Sequence, residues 1–261
     1  MENFEILKDS SKVTEIDLEP VILTRKGNTF YLILNHGDNK ISVQMVTQIW
    51  EKLDNLLENN LDGCSLITFS THPKIFSNGG DIPSCNSTEE LGAILIAVSK
   101  MLAKIVSLPL PTLAVVNGHA FGVGAYIAIW HDYRFMRSDR GYIWWNEMLF
   151  GAGVPSSYNK LGMAKLGAKN YFDLFLKSTR LTADAAVKRD VIDRSISLDR
   201  IFKEAEEFSL ELQGYNKDSK SIGMTKWDIY HDTINCLNNE SSIDPHILNK
   251  VYSHKEKMAK L

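Results

Sequence analysis

Residues 112–116 make a short, fully apolar strand that runs into the turn Asn117-Gly118-His119-Ala120-Phe121-Gly122-Val123-Gly124, and residues 125–130 leave that turn as an unbroken apolar stretch. The order is strand, glycine turn, buried helix. A strand feeding a helix through a glycine turn belongs to an α/β core, because the sheet and the helix each need the other to cover an apolar face. The remaining elements are read around this unit.

A second glycine turn lies upstream. Residues 65–70 are a short apolar strand, and a loop rich in Gly, Ser, Pro and Asn follows through residue 87, carrying Ile75-Phe76-Ser77-Asn78-Gly79-Gly80-Asp81. Residues 21–24 and 30–34 flank Lys26-Gly27-Asn28 and predict a hairpin. Helical spacing covers 43–57 and 89–106. Short strands are expected at 133–136 and 142–144, and from residue 156 onward the pattern is helical almost without interruption. Three segments result: a polar lead over 1–20, an α/β core over 21–195 and a helical C-terminal segment over 196–261, the switch falling near residues 193–198.

Composition narrows the partners. The net charge is −3 and Lys and Arg are spread along the chain, so no electrostatic footprint for nucleic acid stands out and a small-molecule partner is expected. Cys64, Cys85 and Cys236 are far apart and odd in number, which suits a reducing compartment and supplies neither a disulfide framework nor a zinc spacing. No metal or separate cofactor is expected. The N-terminal residues carry early acids and no apolar h-region, and the apolar stretches are too short to span a bilayer, so a soluble protein with no membrane partner is expected. The final Ala259-Lys260-Leu261 is a conservative variant of the Ser-Lys-Leu peroxisomal address.

The two turns share a chemical property. Adjacent glycines let the backbone approach a ligand with no Cβ in the way, so a free N–H can be aimed outward. The second turn opens a helix whose first N–H groups lack intrahelical partners and sit at the positive end of the dipole. Together they can offer two N–H donors to one developing oxyanion. The dinucleotide pattern G-x-G-x-x-G fails on spacing, and no phosphate loop is present.

These residues resemble a family. Phe76 to Asp81, then Pro111 to Gly124 with its Val-Asn-Gly-His-Ala core, then His131-Asp132-Tyr133-Arg134, are similar in order and spacing to the signatures of the crotonase, or enoyl-CoA hydratase/isomerase, superfamily. Asn-Gly-His-Ala, His-Asp-Tyr and Arg137 to Gly141 most resemble the plant peroxisomal Δ3,Δ2-enoyl-CoA isomerases. The resemblance implies a ββα spiral core, an acyl-CoA substrate, and a homotrimer or dimer of trimers built through the C-terminal helices. CoA then enters as part of the substrate. Carried over position by position, it implies oxyanion donors at the Gly80 and Val123 N–H groups, where Val123 departs from the usual Gly or Ala. It implies a catalytic carboxylate at Glu147, and substrate-lining roles for Ser77, Asn78, Gly79, His119, Gly122 and Tyr126.

Tyr126 stands where hydratases of the superfamily carry the first of two glutamates. A phenol with a pKa near 10 is a poor base at neutral pH, whereas double-bond transposition needs one carboxylate to carry a proton from C2 to C4. Trp144, Trp145, Met148, Leu149 and Phe150 are expected to desolvate Glu147 and raise its pKa. Asp81 is expected to brace its turn through its side chain, and Asp132 and Arg134 to form a structural pair. The implied activity is a Δ3,Δ2-enoyl-CoA isomerase in the β-oxidation of unsaturated fatty acids, delivered to the peroxisome by an import receptor reading the C-terminus. The alternatives are a hydratase or other thioester-enolate enzyme, an inactive acyl-CoA-binding subunit, and a cytoplasmic location.

Overall fold

The computed structural model describes residues 19–258, so the address tripeptide and most of the polar lead lie outside the described residues. Strands β1 (Val21–Lys26) and β2 (Thr29–Leu34) form the expected antiparallel hairpin. Helix α1 (Val43–Leu57) starts at Ser42, whose hydroxyl accepts from the Met45 N–H and satisfies one orphan donor of the first turn. Then come β3 (Ser65–Ser70), β4 (Ile75–Ser77) and α2 (Thr88–Val106), the last capped in the same way by Ser87. Next are β5 (Thr112–Val116), β6 (His119–Phe121), α3 (Val123–Trp130), β7 (Tyr133–Arg137) and β8 (Ile143–Trp144).

The chain winds as a spiral in which each turn lays one strand into each of two sheets. The larger is six-stranded, in the order β1-β2-β3-β5-β7-β9, and the smaller is three-stranded, β4-β6-β8. Beyond the hairpin the pairings between these strands are all parallel, with an isolated antiparallel bridge, Ile143 to Leu181. Strand β9 (Arg194–Ile196) closes the large sheet against β7 and was not foreseen, since a three-residue strand carries too little periodicity to stand out from its helical surroundings.

Burial alternates along the large sheet. Phe30, Leu32, Leu66, Ala114 and Val116 face the main core under α1, α2 and α3. Tyr31, Ile33, Ile67, Phe69, Leu113, Val115 and Phe135 face Ile201 and Ala205 of α7 (Leu198–Tyr215) on the other side. The sheet is covered on both faces, as parallel sheets require.

Helices α4 (Ser156–Leu166), α5 (Ala168–Leu176) and α6 (Ala183–Val187) precede β9, and α8 (Ser219–Asn238) and α9 (Pro245–Met258) follow α7. Both α8 and α9 fold back on α2. Among the described residues no helix is long and apolar enough to cross a membrane.

Asp132 and Arg134 are in contact, but not as a side-chain ion pair. Asp132 accepts from Lys226 Nζ at 2.6 Å and from the Thr112 N–H at 2.9 Å, while Arg134 pairs with Asp193 at 3.1 Å. The two do meet, but through the backbone: Arg134 Nη1 donates to the Asp132 carbonyl at 3.1 Å, while each side-chain charge is matched by a partner from a distant element. Between them these contacts tie α8 and the segment before β9 to the core.

Candidate active site

The two glycine turns meet. A Cβ on Gly79 would stand 2.8 Å from the Phe121 carbonyl oxygen and 3.8 Å from the Val123 nitrogen, so only glycine permits this approach, and its φ of +81° suits no other residue better. Beside it, Val123 Cγ2 comes to 3.9 Å of the equivalent point on Gly80.

The Gly80 and Val123 N–H groups have no hydrogen-bond acceptor among the described residues. For Val123 the cause is its place at the first position of α3, where intrahelical acceptors are lacking. For Gly80 it is the local pairing with Ile41: the neighbouring Gly79 carbonyl and Asp81 N–H bond to Ile41 at 2.7 and 3.1 Å, which turns the intervening Gly80 N–H to the other side. Both residues line a cavity of about 640 Å³.

Glu147 lines the same cavity, at the start of a 3-10 turn, Glu147–Phe150, that follows β8. Its Oε2 is buried without a hydrogen-bond partner. Burial raises its pKa to about 7, with the backbone amides of Glu147 and Asn146 pulling the other way. Desolvation disfavours the charged form, and here it prevails. The apolar walls responsible differ from those expected from the neighbouring sequence. Of that segment Phe150 reaches the cavity, whereas Trp145 is buried against Tyr126, Trp144 donates to the Ser178 carbonyl and Leu149 is 65% exposed. Leu95, Phe121, Val154 and Tyr158, from three other regions of the chain, supply apolar wall to the same cavity.

The expected lining residues divide. Asn78, Gly79 and Gly122 are in the cavity wall with Gly80 and Val123; Ser77, His119 and Tyr126 are not. Ser77 is buried beneath the turn, its hydroxyl donating to the Asn39 carbonyl at 2.7 Å and accepting from the Gly79 N–H at 3.3 Å. His119 packs between Phe121 and Tyr142, and burial, with Arg140 nearby, lowers its pKa. His119 and Phe121, two residues apart on this strand, share a face, and of the two only Phe121 reaches the cavity wall.

Tyr126 is fully buried in an aromatic cluster with Trp130, Trp145 and Tyr158. Its hydroxyl lies 2.5 Å from the Tyr171 hydroxyl, which donates to Asn159 Oδ1 at 3.0 Å. The Tyr126 proton is therefore committed to Tyr171, and burial raises its pKa well above the ordinary tyrosine value. Asp81 also departs from expectation. Its side chain makes no capping bond, and its backbone carbonyl accepts from Ser84 instead.

Residues that sequence reasoning did not reach complete the wall. Ile247, Val251 and His254 of α9 line it, His254 stacking on Phe150 at 4.3 Å. The spacing of Ile247, Leu248 and Val251 marks an apolar helix face, which was the available signal, but it does not say what that face covers. Lys40 and Lys255 also line the wall. No group of three or more His, Cys, Asp or Glu able to hold a metal occurs among the described residues.

The arrangement can bind a polarised carbonyl between two backbone donors and present one near-neutral carboxyl group to the adjacent carbon, which is the requirement for making and quenching an enolate. Solved structures share the fold. Human mitochondrial delta3-delta2-enoyl-CoA isomerase superposes with a TM-score of 0.79 at 16% identity, over 93% of this chain and 99% of that one. An enoyl-CoA hydratase from Bacillus halodurans gives 0.78 at 18% identity, over 93% and 100%.

By sequence, enoyl-CoA delta isomerase 3 of Arabidopsis thaliana is 31% identical over 66% of this chain and 74% of its own length. The same plant's peroxisomal enoyl-CoA delta isomerase 1 is 28% identical over 66% and 72%. Residues 28–260 match the enoyl-CoA hydratase/isomerase profile, and the chain belongs to that family.

Proposed function

We propose that the protein is a Δ3,Δ2-enoyl-CoA isomerase that uses Glu147 as its single acid/base. The observation that carries this reading is that, among the described residues, Glu147 is the only carboxylate lining the cavity that Gly80 and Val123 share. The thioester carbonyl of a 3-enoyl-CoA accepts from the two N–H groups. Glu147 removes a proton from C2, the enolate charge gathers on the oxygen between the donors, and the carboxyl group returns the proton at C4, leaving the double bond between C2 and C3. One group suffices because the same proton leaves and returns. The names of the plant relatives, delta isomerases, support the same choice.

Tyr126 bears on the choice between isomerisation and hydration. Hydration by two carboxylates needs a second acid to hold water, and the position that would supply it is a neutral phenol bonded to Tyr171. Ala259-Lys260-Leu261 and the peroxisomal naming of two Arabidopsis relatives support a peroxisomal location, reached through an import receptor, and a place in β-oxidation. Assembly as a homotrimer or dimer of trimers is part of the same proposal.

The test is one pair of assays. Purified protein is mixed with a 3-enoyl-CoA and the absorbance of the conjugated 2-enoyl product is followed, beside loss of that absorbance when a 2-enoyl-CoA is supplied for hydration. Isomerisation well above hydration is expected. Hydration as the faster reaction, or neither reaction, overturns the proposal.

A further inference from the structure

We infer that Asn39 is a positioning residue of this site: with its side-chain amide and its own carbonyl it holds the turn that aims the Gly80 N–H into the cavity. The inference rests on the proposed oxyanion role of Gly80. Asn39 is fully buried, holds a left-handed backbone at φ +51°, and stands outside the cavity wall.

Its bonds run to the turn. Asn39 Nδ2 donates to the Phe76 carbonyl at 3.1 Å and to Ser70 Oγ at 2.7 Å, Oδ1 accepts from the His36 N–H at 2.8 Å, and the Asn39 carbonyl accepts from Ser77 Oγ at 2.7 Å. Ser77 Oγ in turn accepts from the Gly79 N–H at 3.3 Å. Neighbours on the same segment grip the next residues: the Asp38 carbonyl accepts from the Asn78 N–H at 3.0 Å, and Ile41 takes the bonds flanking Gly80.

Residues 38–41 thus bond the turn at every position from Phe76 to Asp81 except Gly80, whose N–H is left for a ligand. Both polar ends of the Asn39 amide are used. The left-handed backbone puts its carbonyl under Ser77 while its side chain reaches Phe76, and asparagine is among the few residues other than glycine that adopt this conformation readily. A misdirected donor weakens enolate stabilisation without removing the cavity that binds the rest of the substrate.

Two variants test this. Asn39→Gly keeps the left-handed backbone and loses the amide; Asn39→Asp keeps the acceptor for His36 and sets a second acceptor against the Phe76 carbonyl. In folded protein, verified by thermal melting, kcat should fall about 10²-fold, the scale for a displaced catalytic group, with KM for the 3-enoyl-CoA within about threefold. Amide hydrogen exchange reads the clamp without reference to activity: the Ile41, Gly79 and Asp81 amides should exchange about tenfold faster or more while those of β2 and β3 do not change. Unchanged exchange at those amides, or unchanged kcat in an active enzyme, overturns the inference. Should the wild-type protein lack isomerase activity, the function proposed above fails, and the exchange measurement alone decides the positioning role.

Discussion

Glu147 Oε1 lies 3.2 Å from the point where a Cβ on Gly122 would stand, and Gly122 holds φ at +48°. The residue that precedes the Val123 donor is thus also the floor beneath the carboxylate. Gly122→Ala pushes against Oε1 and forces an L side chain into a left-handed backbone, at about 1–3 kcal/mol. We expect kcat to drop by at least about tenfold, since an ångström of misplacement is costly to a proton transfer. Steady-state kinetics beside a melting curve check it, and a variant with wild-type kcat refutes the contact's role.

Glu147 acts as a base only when ionised. With its pKa raised to about 7 by burial, kcat/KM should climb with pH through about 7 and level off above it, since below that pH the carboxyl group keeps its proton and cannot accept another. A climbing limb near the ordinary carboxylate value of about 4 would show that the free enzyme solvates Glu147. Glu147→Gln should lose about 10²–10⁴-fold in turnover while still binding acyl-CoA, read by a binding titration.

Tyr126→Phe separates packing from chemistry. The change removes the 2.5 Å bond to Tyr171 and nothing from the cavity wall. Stability should fall by about 1–3 kcal/mol, because the Tyr171 hydroxyl loses a buried partner, and isomerase turnover should stay within about threefold of wild type. A loss of turnover comparable to that of Glu147→Gln would move the base to a different group.

His131 predicts how stability depends on pH. It is fully buried, its Nδ1 donating to the Ile127 carbonyl at 2.9 Å and its Nε2 accepting from Thr68 Oγ1 at 2.8 Å, which fixes the neutral tautomer. Burial lowers its pKa to about 4. The folded-state pKa is below the unfolded value, so the unfolded chain binds the proton first. The contribution of His131 is complete above about pH 6.5 and is lost as pH falls toward 4, up to on the order of 3 kcal/mol. Denaturant melts across this range should show the decline, and His131→Asn should flatten its slope; an unchanged slope removes His131 as the cause.

How far the sequence could be read follows from where each signal lies. The turns at 76–81 and 117–124 are contiguous strings, and a contiguous string with glycines at fixed places is visible before any folding. Of the small sheet only β8 is legible, within the strand expected at 142–144; β4 and β6 run three residues each, too few for alternation to mark them. Glu147 could be singled out but the source of its desolvation could not: the adjacent Leu149 points to solvent, and Leu95 and Tyr158 arrive from other helices. Asn39 sits some forty positions before the turn it holds and carries no motif of its own, so only the fold reveals their relation.

The Tyr126–Tyr171–Asn159 chain also limits what position 126 can hold. Tyr126→Glu, which would supply a second carboxylate, would bury a charge among Trp130, Trp145 and Tyr158 with a single hydroxyl for company. Such a charge costs several kcal/mol unless it is paired or solvated. A second acid at this position therefore requires the aromatic box to be rebuilt along with it. Packing around Tyr126 thus guards the single-carboxylate character of the cavity more firmly than the cavity wall itself does.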